Sequence, residues 1–208
     1  MDSDRTLPAR AYLLAYDLAT EQLTGKAWLD YVVQGAALAQ LLAGGQLHDP
    51  GTAVVATDSA RPSDEVLDLV LNRVQQADRR DWRALLHQSK ATLEAVQDQL
   101  IRTGVVARRG RRVVVLDPVA VAELQAKARQ VLGDGDVAGV DPLDAALVAL
   151  ASVVPLRTVF QRRRGRHDRE RVDDLVRRVS ADVPGFERLI RQMRHTRGRA
   201  YSAGGPVH

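Results

Sequence analysis

The sequence predicts a mainly α-helical protein. Its 208 residues allow one domain, or at most two small ones. Hydrophobic residues make up 45% of the chain, which is enough for a full core and excludes wholesale disorder. Only 4% of the residues are aromatic, so this core must be built from Leu, Val and Ala. Small aliphatic side chains of this kind favour helices that pack closely together.

Composition also excludes several classes of function. The chain has no cysteine, which excludes disulfides, thiolate zinc sites and cysteine nucleophiles. No apolar run approaches the roughly 18 residues that a membrane span needs, and the first residues do not resemble a signal peptide, so we expect a cytoplasmic protein. The net charge is +4, and residues 157–199 hold 14 Arg and six acidic residues, so the positive charge is concentrated near the C-terminus.

The first helices are predicted from apolar runs. Residues 8–19 are largely apolar, and residues 27–43 are apolar on almost every side. A helix without a polar face belongs in the middle of a bundle, so we place the helix over 27–43 in the interior. Gly44 ends this helix, and a Pro-Gly turn then precedes a short strand predicted over residues 52–56.

The middle of the chain predicts two helices and a β-hairpin. Residues 62–65, PSDE, begin a helix with an acidic first turn. A second helix is predicted over residues 80–103 and ends at a glycine. Two β-branched runs then flank an Arg-Gly pair, which predicts a hairpin over residues 105–116.

The C-terminal part of the chain predicts further helices. Asp117 precedes one of them and Asp141 can cap the next, with a glycine-rich loop between the two. The remaining helices and a flexible tail are predicted over residues 119–132, 143–154, 156–180, 184–195 and 196–208.

Five segments of the chain form a pattern that is shared with one protein family. They are, in order, YLLAYDLATEQLTG, GAALAQLLAGGQL, RPSDEVLDLVLNRV, DQLIRTGVV with the hairpin after it, and DPLDAALVALASVV. In order and spacing they resemble the Golgi phosphoprotein 3 family, which has many bacterial members. The resemblance covers roughly residues 8–190. A bias of 27 Arg to 3 Lys is typical of a GC-rich genome, as in a bacterial member.

The resemblance implies a fold and a class of function. It implies one helical domain over residues 1–195, with a buried helical bundle and a projecting β-hairpin. Eukaryotic members of the family are peripheral membrane proteins that bind phosphatidylinositol 4-phosphate in a basic surface pocket and act as adaptors for glycosyltransferases. Their hairpin contributes to self-association, so we expect a homo-oligomer. None of these activities is catalytic, and no cofactor is implied.

The resemblance also implies candidate residues for binding a lipid headgroup. The pocket of the eukaryotic members uses one Trp and three Arg, which align here with Gly25, Gln34, Lys90 and Leu93. Of these four residues, Lys90 alone carries a positive charge. Trp28 lies three residues from the missing Trp, and a small gap would restore it. The candidates are therefore Lys90, Gln34 and Trp28, with a solvated surface cation as the alternative interpretation of Lys90.

The hairpin carries four arginines, Arg108, Arg109, Arg111 and Arg112. They must project into solvent, because a charge without a partner is too costly to bury. Anionic lipid attracts such a cluster, nucleic acid phosphates attract it equally, and charge also protects a strand edge from aggregation. With Lys90 on the preceding helix, these side chains could form one cationic surface.

A second basic segment lies in the C-terminal part. Its later half mixes charges of both signs, and pairs such as Asp173 with Arg177 and Asp174 with Arg178 are typical of a solvated helix face. Its front, Arg162–Arg166, is predicted to be an unpaired basic loop, which either binds an anion or forms a solvated turn.

The sequence shows no catalytic or metal-binding constellation. The five histidines have no HExxH or HxH spacing. The GDGD segment at 133–136 lacks the ligand series and the closing Glu of an EF-hand, so a polar turn is the better interpretation.

We therefore predict a non-enzymatic peripheral membrane or adaptor protein that binds anionic, phosphoinositide-type headgroups at the inner face of a bacterial plasma membrane. The first alternative is a DNA-binding protein, because a helix over 84–103 followed directly by a basic hairpin resembles the recognition helix and wing of a winged-helix domain. Glu94 and Asp98 make that helix a poor partner for DNA, so nucleic acid binding is disfavoured. The second alternative is a scaffold that binds only proteins.

Overall fold

Helices form most of the chain, and the strands form only short antiparallel pairs. The computed structural model describes residues 5–110, 112–133, 135–154, 156–160 and 165–203. In these residues the helices are α1 (Leu7–Leu14), α2 (Leu29–Ala43), α3 (Glu65–Gln76), α4 (Trp82–Leu86), α5 (Ser89–Arg102), α6 (Pro118–Leu132), α7 (Pro142–Val153), α8 (Arg166–Asp182) and α9 (Phe186–Ala203). The paired strands are β1 (Tyr16–Asp17) with β2 (Gln22–Leu23), β3 (Leu47–His48) with β4 (Val55–Ala56), and β5 (Val106–Arg109) with β6 (Arg112–Val115). The predicted mainly α-helical single domain is confirmed.

Two apolar helices, α2 and α7, form the centre of the bundle. α2 packs against α1, α5, α7 and α9. Ala36, Ala37 and Leu38 on α2 are completely shielded from solvent. α7 is buried along its whole length after the first turn. The prediction that the helix within residues 27–43 lies in the interior is therefore confirmed.

The close contact between α2 and α9 depends on a glycine. A Cβ atom added to Gly35 would lie 2.6 Å from Sδ of Met193 on α9. Met193 is itself completely buried, so it has little space into which to move. The absence of a side chain at Gly35 allows the two helices to pack at this point.

The first helix is shorter than the sequence predicts. α1 ends at Leu14, and the chain then turns back as the β1–β2 pair. Asp17 stabilises the turn, because its carboxylate accepts hydrogen bonds from the backbone N–H groups of Ala19 (2.9 Å) and Thr20 (3.3 Å). The apolar composition of residues 8–19 indicates burial correctly, but not a continuous helix.

The single helix predicted over residues 80–103 is in fact two helices, α4 and α5. In a continuous helix the carbonyl of Leu85 would accept a hydrogen bond from the N–H of Ser89. Here Nε2 of Gln34, on α2, donates to that carbonyl at 2.8 Å. The helical hydrogen bonding is therefore interrupted at His87, which lies at the junction of α4 and α5.

The helix predicted near residues 156–180 begins later, at Arg166. Residues 156–160 form turns instead. The hydroxyl of Thr158 donates to the carbonyl of Leu14 at 2.5 Å, which ties these turns to the end of α1. This long-range contact, which has no signature in the local sequence, replaces the predicted first turns of the helix.

The last helix is longer than predicted. α9 continues as helix to Ala203, into the segment that the sequence predicts as a tail from residue 196. Nη1 of Arg197 donates to the carbonyl of Val153 at the end of α7, and this contact holds the extra turns against the bundle. A Gly-Gly-Pro sequence follows Ala203, and residues 204–208 lie outside the described residues.

The predicted hairpin is present as β5 and β6. Its paired residues are Val106 with Val115, Ala107 with Val114, Arg108 with Val113, and Arg109 with Arg112. Val106 and Val115 are buried and fix the base of the hairpin on the core. Gly110 lies in the turn with φ 63°, a conformation that favours glycine.

Candidate functional site

The end of the hairpin presents a cluster of cations, which we call the arginine tip and define as Arg108, Arg109 and Arg112. All three are exposed. Arg109 and Arg112 are directly opposite each other in the ladder, so their side chains leave the same face of the hairpin. None of the three forms an ion pair with another described residue. The predicted fourth member, Arg111, lies outside the described residues.

The hairpin contacts α5 through β5 and β2 through β6, and the charge of Arg108 acts on Tyr12 of α1. Tyr12 of α1 is buried, and burial raises the pKa of its hydroxyl to about 12, while the positive charge of Arg108 acts in the opposite direction. Side chains alternate along a strand, so Arg108 faces inward and Arg109 faces outward. The arginine tip therefore offers cations on both faces of the hairpin.

Lys90 does not belong to the arginine tip. It is the second residue of α5, whereas the hairpin follows the last residue of α5, Arg102. At a rise of about 1.5 Å per residue, the backbones of Lys90 and Arg102 are about 18 Å apart along the helix axis. The base of the hairpin therefore lies at the other end of α5 from Lys90, and the expectation that Lys90 and the hairpin arginines form one surface stays a prediction.

Gln34 is an interior residue. It is 1% exposed, and both the nitrogen and the oxygen of its side-chain amide form hydrogen bonds within the chain. Its Nε2 donates to the carbonyl of Leu85 at 2.8 Å, and its Oε1 accepts from the hydroxyl of Thr92 at 2.5 Å. These bonds connect α2 to α4 and α5, so the structure gives Gln34 a position inside the bundle and not at its surface.

The other positions of the family pocket are apolar or lack a side chain. Trp28 is half-buried and packs edge-to-face against Tyr31, with ring centroids 5.7 Å apart. Gly25 has φ 64°, and a Cβ atom there would lie 3.0 Å from Leu156. Leu93 packs partly against the core. No second cation joins Lys90 from these positions.

Lys90 instead lines a different depression, which we call the cationic groove and define by Arg73, His87 and Lys90. The groove has a volume of about 440 Å³ and lies between the end of α3 and the junction of α4 with α5. The other residues that line it are Gln76, Ala77, Gln88 and Ala91. Its two cations, Arg73 and Lys90, and its histidine come from three separate helical elements.

Sequence reasoning identified only one of the three residues in this groove. Arg73 lies in the last turn of an amphipathic helix, where a cation is ordinary, and His87 lies at a junction that was predicted to be mid-helix. The fold brings both residues to Lys90, and no local spacing could have indicated it. The one local signal in the sequence is the positive charge of Arg73, which lies near the C-terminus of α3.

The outward face of α5 does not favour DNA. Its exposed residues are Lys90, Glu94, Asp98 and Arg102, which recur every four residues and form one row with no net charge. Arg102 also pairs with Glu65 across the surface at 2.5 Å. A recognition helix presents cations or amides to base edges, and this row does not.

The basic residues of α8 are largely paired. Arg177 pairs with Asp174, and Arg178 pairs with Asp182, so the predicted solvated face exists with partners other than the predicted ones. Asp173 instead accepts from Arg194 on α9 at 2.9 Å.

The basic segment before α8 is described only in part. Residues 162–164 lie outside the described residues. Arg166 pairs with Glu170 at 2.7 Å, so it is not the free cation that the sequence predicts.

The described residues contain neither a group of three metal-ligating side chains nor a helix long and apolar enough to cross a bilayer. Asp136 accepts a hydrogen bond from the N–H of Ala138 at 2.9 Å, which is a polar turn. Asp141 caps α7 by accepting from the N–H of Leu143 at 3.0 Å, as predicted.

Comparison with known proteins identifies the family. A family model described as Golgi phosphoprotein 3 (GPP34) matches residues 7–193, which is most of the chain. Among curated proteins, none matches the sequence. The matched range begins at α1 and ends within α9, so it includes α1 to α8, the first part of α9 and the hairpin. The chain therefore belongs to the Golgi phosphoprotein 3 family.

Proposed function

We propose that this protein is a non-enzymatic peripheral membrane adaptor that binds anionic lipid headgroups at the inner face of a bacterial plasma membrane. Membership of the Golgi phosphoprotein 3 family supports the adaptor class. The observation that carries the lipid-binding part is the arginine tip, whose three exposed cations have no ion-pair partner among the described residues.

The strength of this attachment follows from the number of cations. Each Lys or Arg near an anionic membrane contributes about 1 kcal/mol, so the three residues of the arginine tip contribute at most about 3 kcal/mol. Attachment of this strength is reversible and sensitive to salt. The proposed contact depends on charge and not on selective recognition of a 4-phosphate, because Gly25, Gln34 and Leu93 provide no cation.

Co-sedimentation with vesicles tests the proposal. Changing Arg108, Arg109, Arg111 and Arg112 to Ser should abolish binding to anionic vesicles at low salt without lowering the melting temperature. A matched control removes the same charge from four exposed arginines elsewhere on the surface, and it should bind as the wild type does. These control positions are Arg83, Arg157, Arg169 and Arg199.

Two results would contradict the proposal. One is vesicle binding that persists in the hairpin variant, and the other is wild-type binding that does not change with salt. A gel-shift experiment with random duplex DNA, run in parallel, tests the winged-helix alternative. The row of exposed residues on α5 has no net charge and does not favour that alternative. A protein that binds neither vesicles nor DNA would leave the protein-only scaffold as the remaining alternative.

A further inference from the structure

We infer that a cleft beside the loop between α6 and α7 binds a free aliphatic α-amino acid. The cleft has a volume of about 420 Å³, within the range of about 300–1,000 Å³ that is usual for small-molecule sites. The loop contains the GDGD segment, of which residue 134 lies outside the described residues. We call this depression the α6–α7 cleft and define it by Lys127, Val131, Asp136, Val140, Asp141 and Arg171.

A buried arginine forms part of the cationic side of the cleft. Arg171 on α8 lines the cleft although it is only 7% exposed. Its Nε donates to the carbonyl of Val131 at 3.0 Å, and its Nη1 donates to the carbonyl of Gly135 at 2.7 Å. These bonds fix the guanidinium and use two of its five N–H groups, while Nη2 has no acceptor among the described residues. An arginine held in this way can bind a carboxylate without having to be ordered first.

Lys127 adds a second cation to the same side. Its Nζ lies 2.6 Å from Oδ2 of Asp144, which also lines the cleft and is 4% exposed. The carboxylate of Asp144 is already paired with Arg10, so these three side chains together retain one positive charge. Arg171 adds another, and the side of the cleft formed by α6 and α8 therefore has an excess of positive charge.

The loop supplies the acidic side of the cleft. Asp136 and Asp141 are both exposed, and each is held by a hydrogen bond to the backbone of the loop. Oδ1 of Asp136 accepts from the N–H of Ala138 at 2.9 Å, and Oδ1 of Asp141 accepts from the N–H of Leu143 at 3.0 Å. The Oδ2 atom of each carboxylate has no partner in the described part of the chain. Both atoms can therefore accept hydrogen bonds from an ammonium group.

The charges of opposite sign in this cleft do not neutralise each other directly. In the groove between α8 and α9, which has a volume of about 470 Å³, arginines pair with neighbouring acids, as Arg177 does with Asp174. In the α6–α7 cleft, as far as the structure describes it, neither loop carboxylate forms an ion pair with Lys127 or Arg171. A ligand with one charge is complementary to only one side of the cleft, whereas a zwitterion is complementary to both.

Two valines indicate the kind of amino acid. Val131 is 8% exposed, and Val140 is half-buried and packs against the core. Both line the cleft, which is larger than an α-carboxylate and an α-ammonium group require, so a side chain can lie against them. An aliphatic side chain would bury apolar surface there and would need no hydrogen-bond partner.

The α6–α7 cleft is distant from the arginine tip. The hairpin ends just before Pro118, the first residue of α6, whereas Val131 lies in the last turn of that helix. At a rise of about 1.5 Å per residue, Pro118 and Val131 are about 20 Å apart along the helix axis. Amino acid binding in the cleft is therefore independent of the proposed attachment to a membrane.

Calorimetric titration with three related probes tests the two sides of the cleft separately. The probes are L-leucine, 4-methylpentanoate, which lacks the ammonium group, and 3-methylbutylamine, which lacks the carboxylate. We expect the wild type to bind L-leucine and to bind each of the other two at least about tenfold more weakly, the equivalent of about 1.4 kcal/mol. L-leucine should also shift the NMR amide signals of Gly135 and Gly139, which line the cleft, but not that of Gly110 in the hairpin.

The test variant is Asp136→Asn with Asp141→Asn. The oxygen of an Asn side chain can still accept the backbone hydrogen bonds of the loop, so the fold should be retained. Asp78→Asn with Asp98→Asn removes the same charge from two exposed positions elsewhere and is the control. We expect the test variant to bind L-leucine at least about tenfold more weakly than the control does, and to bind L-leucine no more tightly than 4-methylpentanoate.

Three results would show that the cleft is not an amino acid site. They are a wild type that does not bind L-leucine, a singly charged probe that binds as tightly as L-leucine, and a test variant that binds L-leucine as the control does. The hairpin variant should bind L-leucine normally. Failure of leucine binding would leave the vesicle result unchanged, and failure of vesicle binding would leave the leucine result unchanged.

Discussion

Asp144 holds two cations at the side of the central helix α7. It pairs with Arg10 of α1, and its other oxygen lies 2.6 Å from Nζ of Lys127 on α6. Arg10 is 5% exposed and Asp144 is 4% exposed. The carboxylate of Asp144 therefore stabilises the buried positive charge of Arg10. Three helices meet at one acidic residue.

Removing this carboxylate should be costly. We expect Asp144→Ala to lower the free energy of unfolding by about 3–5 kcal/mol, because Arg10 would remain buried without a counter-charge. Replacing both partners, as Arg10→Met with Asp144→Leu, should cost much less. Asp174→Ala, which breaks an exposed pair, is the control and should change stability by about 1 kcal/mol or less. Urea denaturation measures all three, and equal losses at Asp144 and Asp174 would argue against the buried pair.

The buried hydroxyl of Tyr12 should make the stability of the protein depend on pH in the alkaline range. Its hydroxyl is buried and has no hydrogen-bond partner among the described residues. Burial raises its pKa from 10.0 to about 12, so the folded protein retains this proton when the unfolded chain loses it. The sign follows directly: the contribution to stability is complete below pH 10.0 and is lost as the pH rises towards about 12.

Tyr12→Phe removes the hydroxyl and keeps the ring. We expect the variant to be more stable than the wild type by about 1 kcal/mol at neutral pH, since an unsatisfied buried hydroxyl is removed. It should also lose less stability between pH 10.0 and about 12. Thermal denaturation at a series of pH values measures both effects. A variant that is destabilised at neutral pH and follows the wild-type pH curve would show that the hydroxyl has a partner.

At the scale of elements, α2 is central to the architecture because α1, α3, α4, α5, α7 and α9 all pack against it. Ala37 lies in the middle of α2 and is completely buried. We expect Ala37→Asp to destabilise the domain by on the order of 4 kcal/mol, since the new carboxylate has no counter-charge. Ala122→Asp, at an exposed position of α6, is the matched control and should be close to neutral. If the Ala37 variant melts within a degree or so of wild type, α2 is not the interior helix.

Periodicity and end signals predict elements well where the cause is local. The apolar runs of α2 and α7 indicate burial directly, and Asp117 and Asp141 cap helices at the residues the sequence indicates. The break between α4 and α5 could not be predicted, because it is associated with Gln34, which is distant in sequence. The same separation explains why Lys90 was identified and Arg73 and His87 were not. A site assembled by tertiary packing leaves no local spacing to recognise.

At the scale of the whole molecule, the proposed membrane attachment and the predicted self-association would compete for the hairpin. Among the described residues no other strand pairs with β5 or β6, although β5 also contacts α5 and β6 contacts β2. Leu116 and Val119, 50% and 65% exposed, add an apolar surface near the base of the hairpin. The arginine tip favours an anionic membrane but repels another arginine tip. Membrane attachment and self-association should therefore respond to salt in opposite directions.

We predict that the protein self-associates through this hairpin and that salt strengthens the association. Light scattering at micromolar concentration should give a mass above the 22.8 kDa of one chain, and the mass should rise between about 50 mM and about 500 mM salt as arginine repulsion is screened. Vesicle binding should fall over the same range. Leu116→Ser with Val119→Ser should weaken the association and leave vesicle binding unchanged, because it removes apolar surface and no charge. A mass of 22.8 kDa at every salt concentration would exclude self-association, and a mass that falls with salt would show that ion pairs, and not the apolar base of the hairpin, hold the copies together.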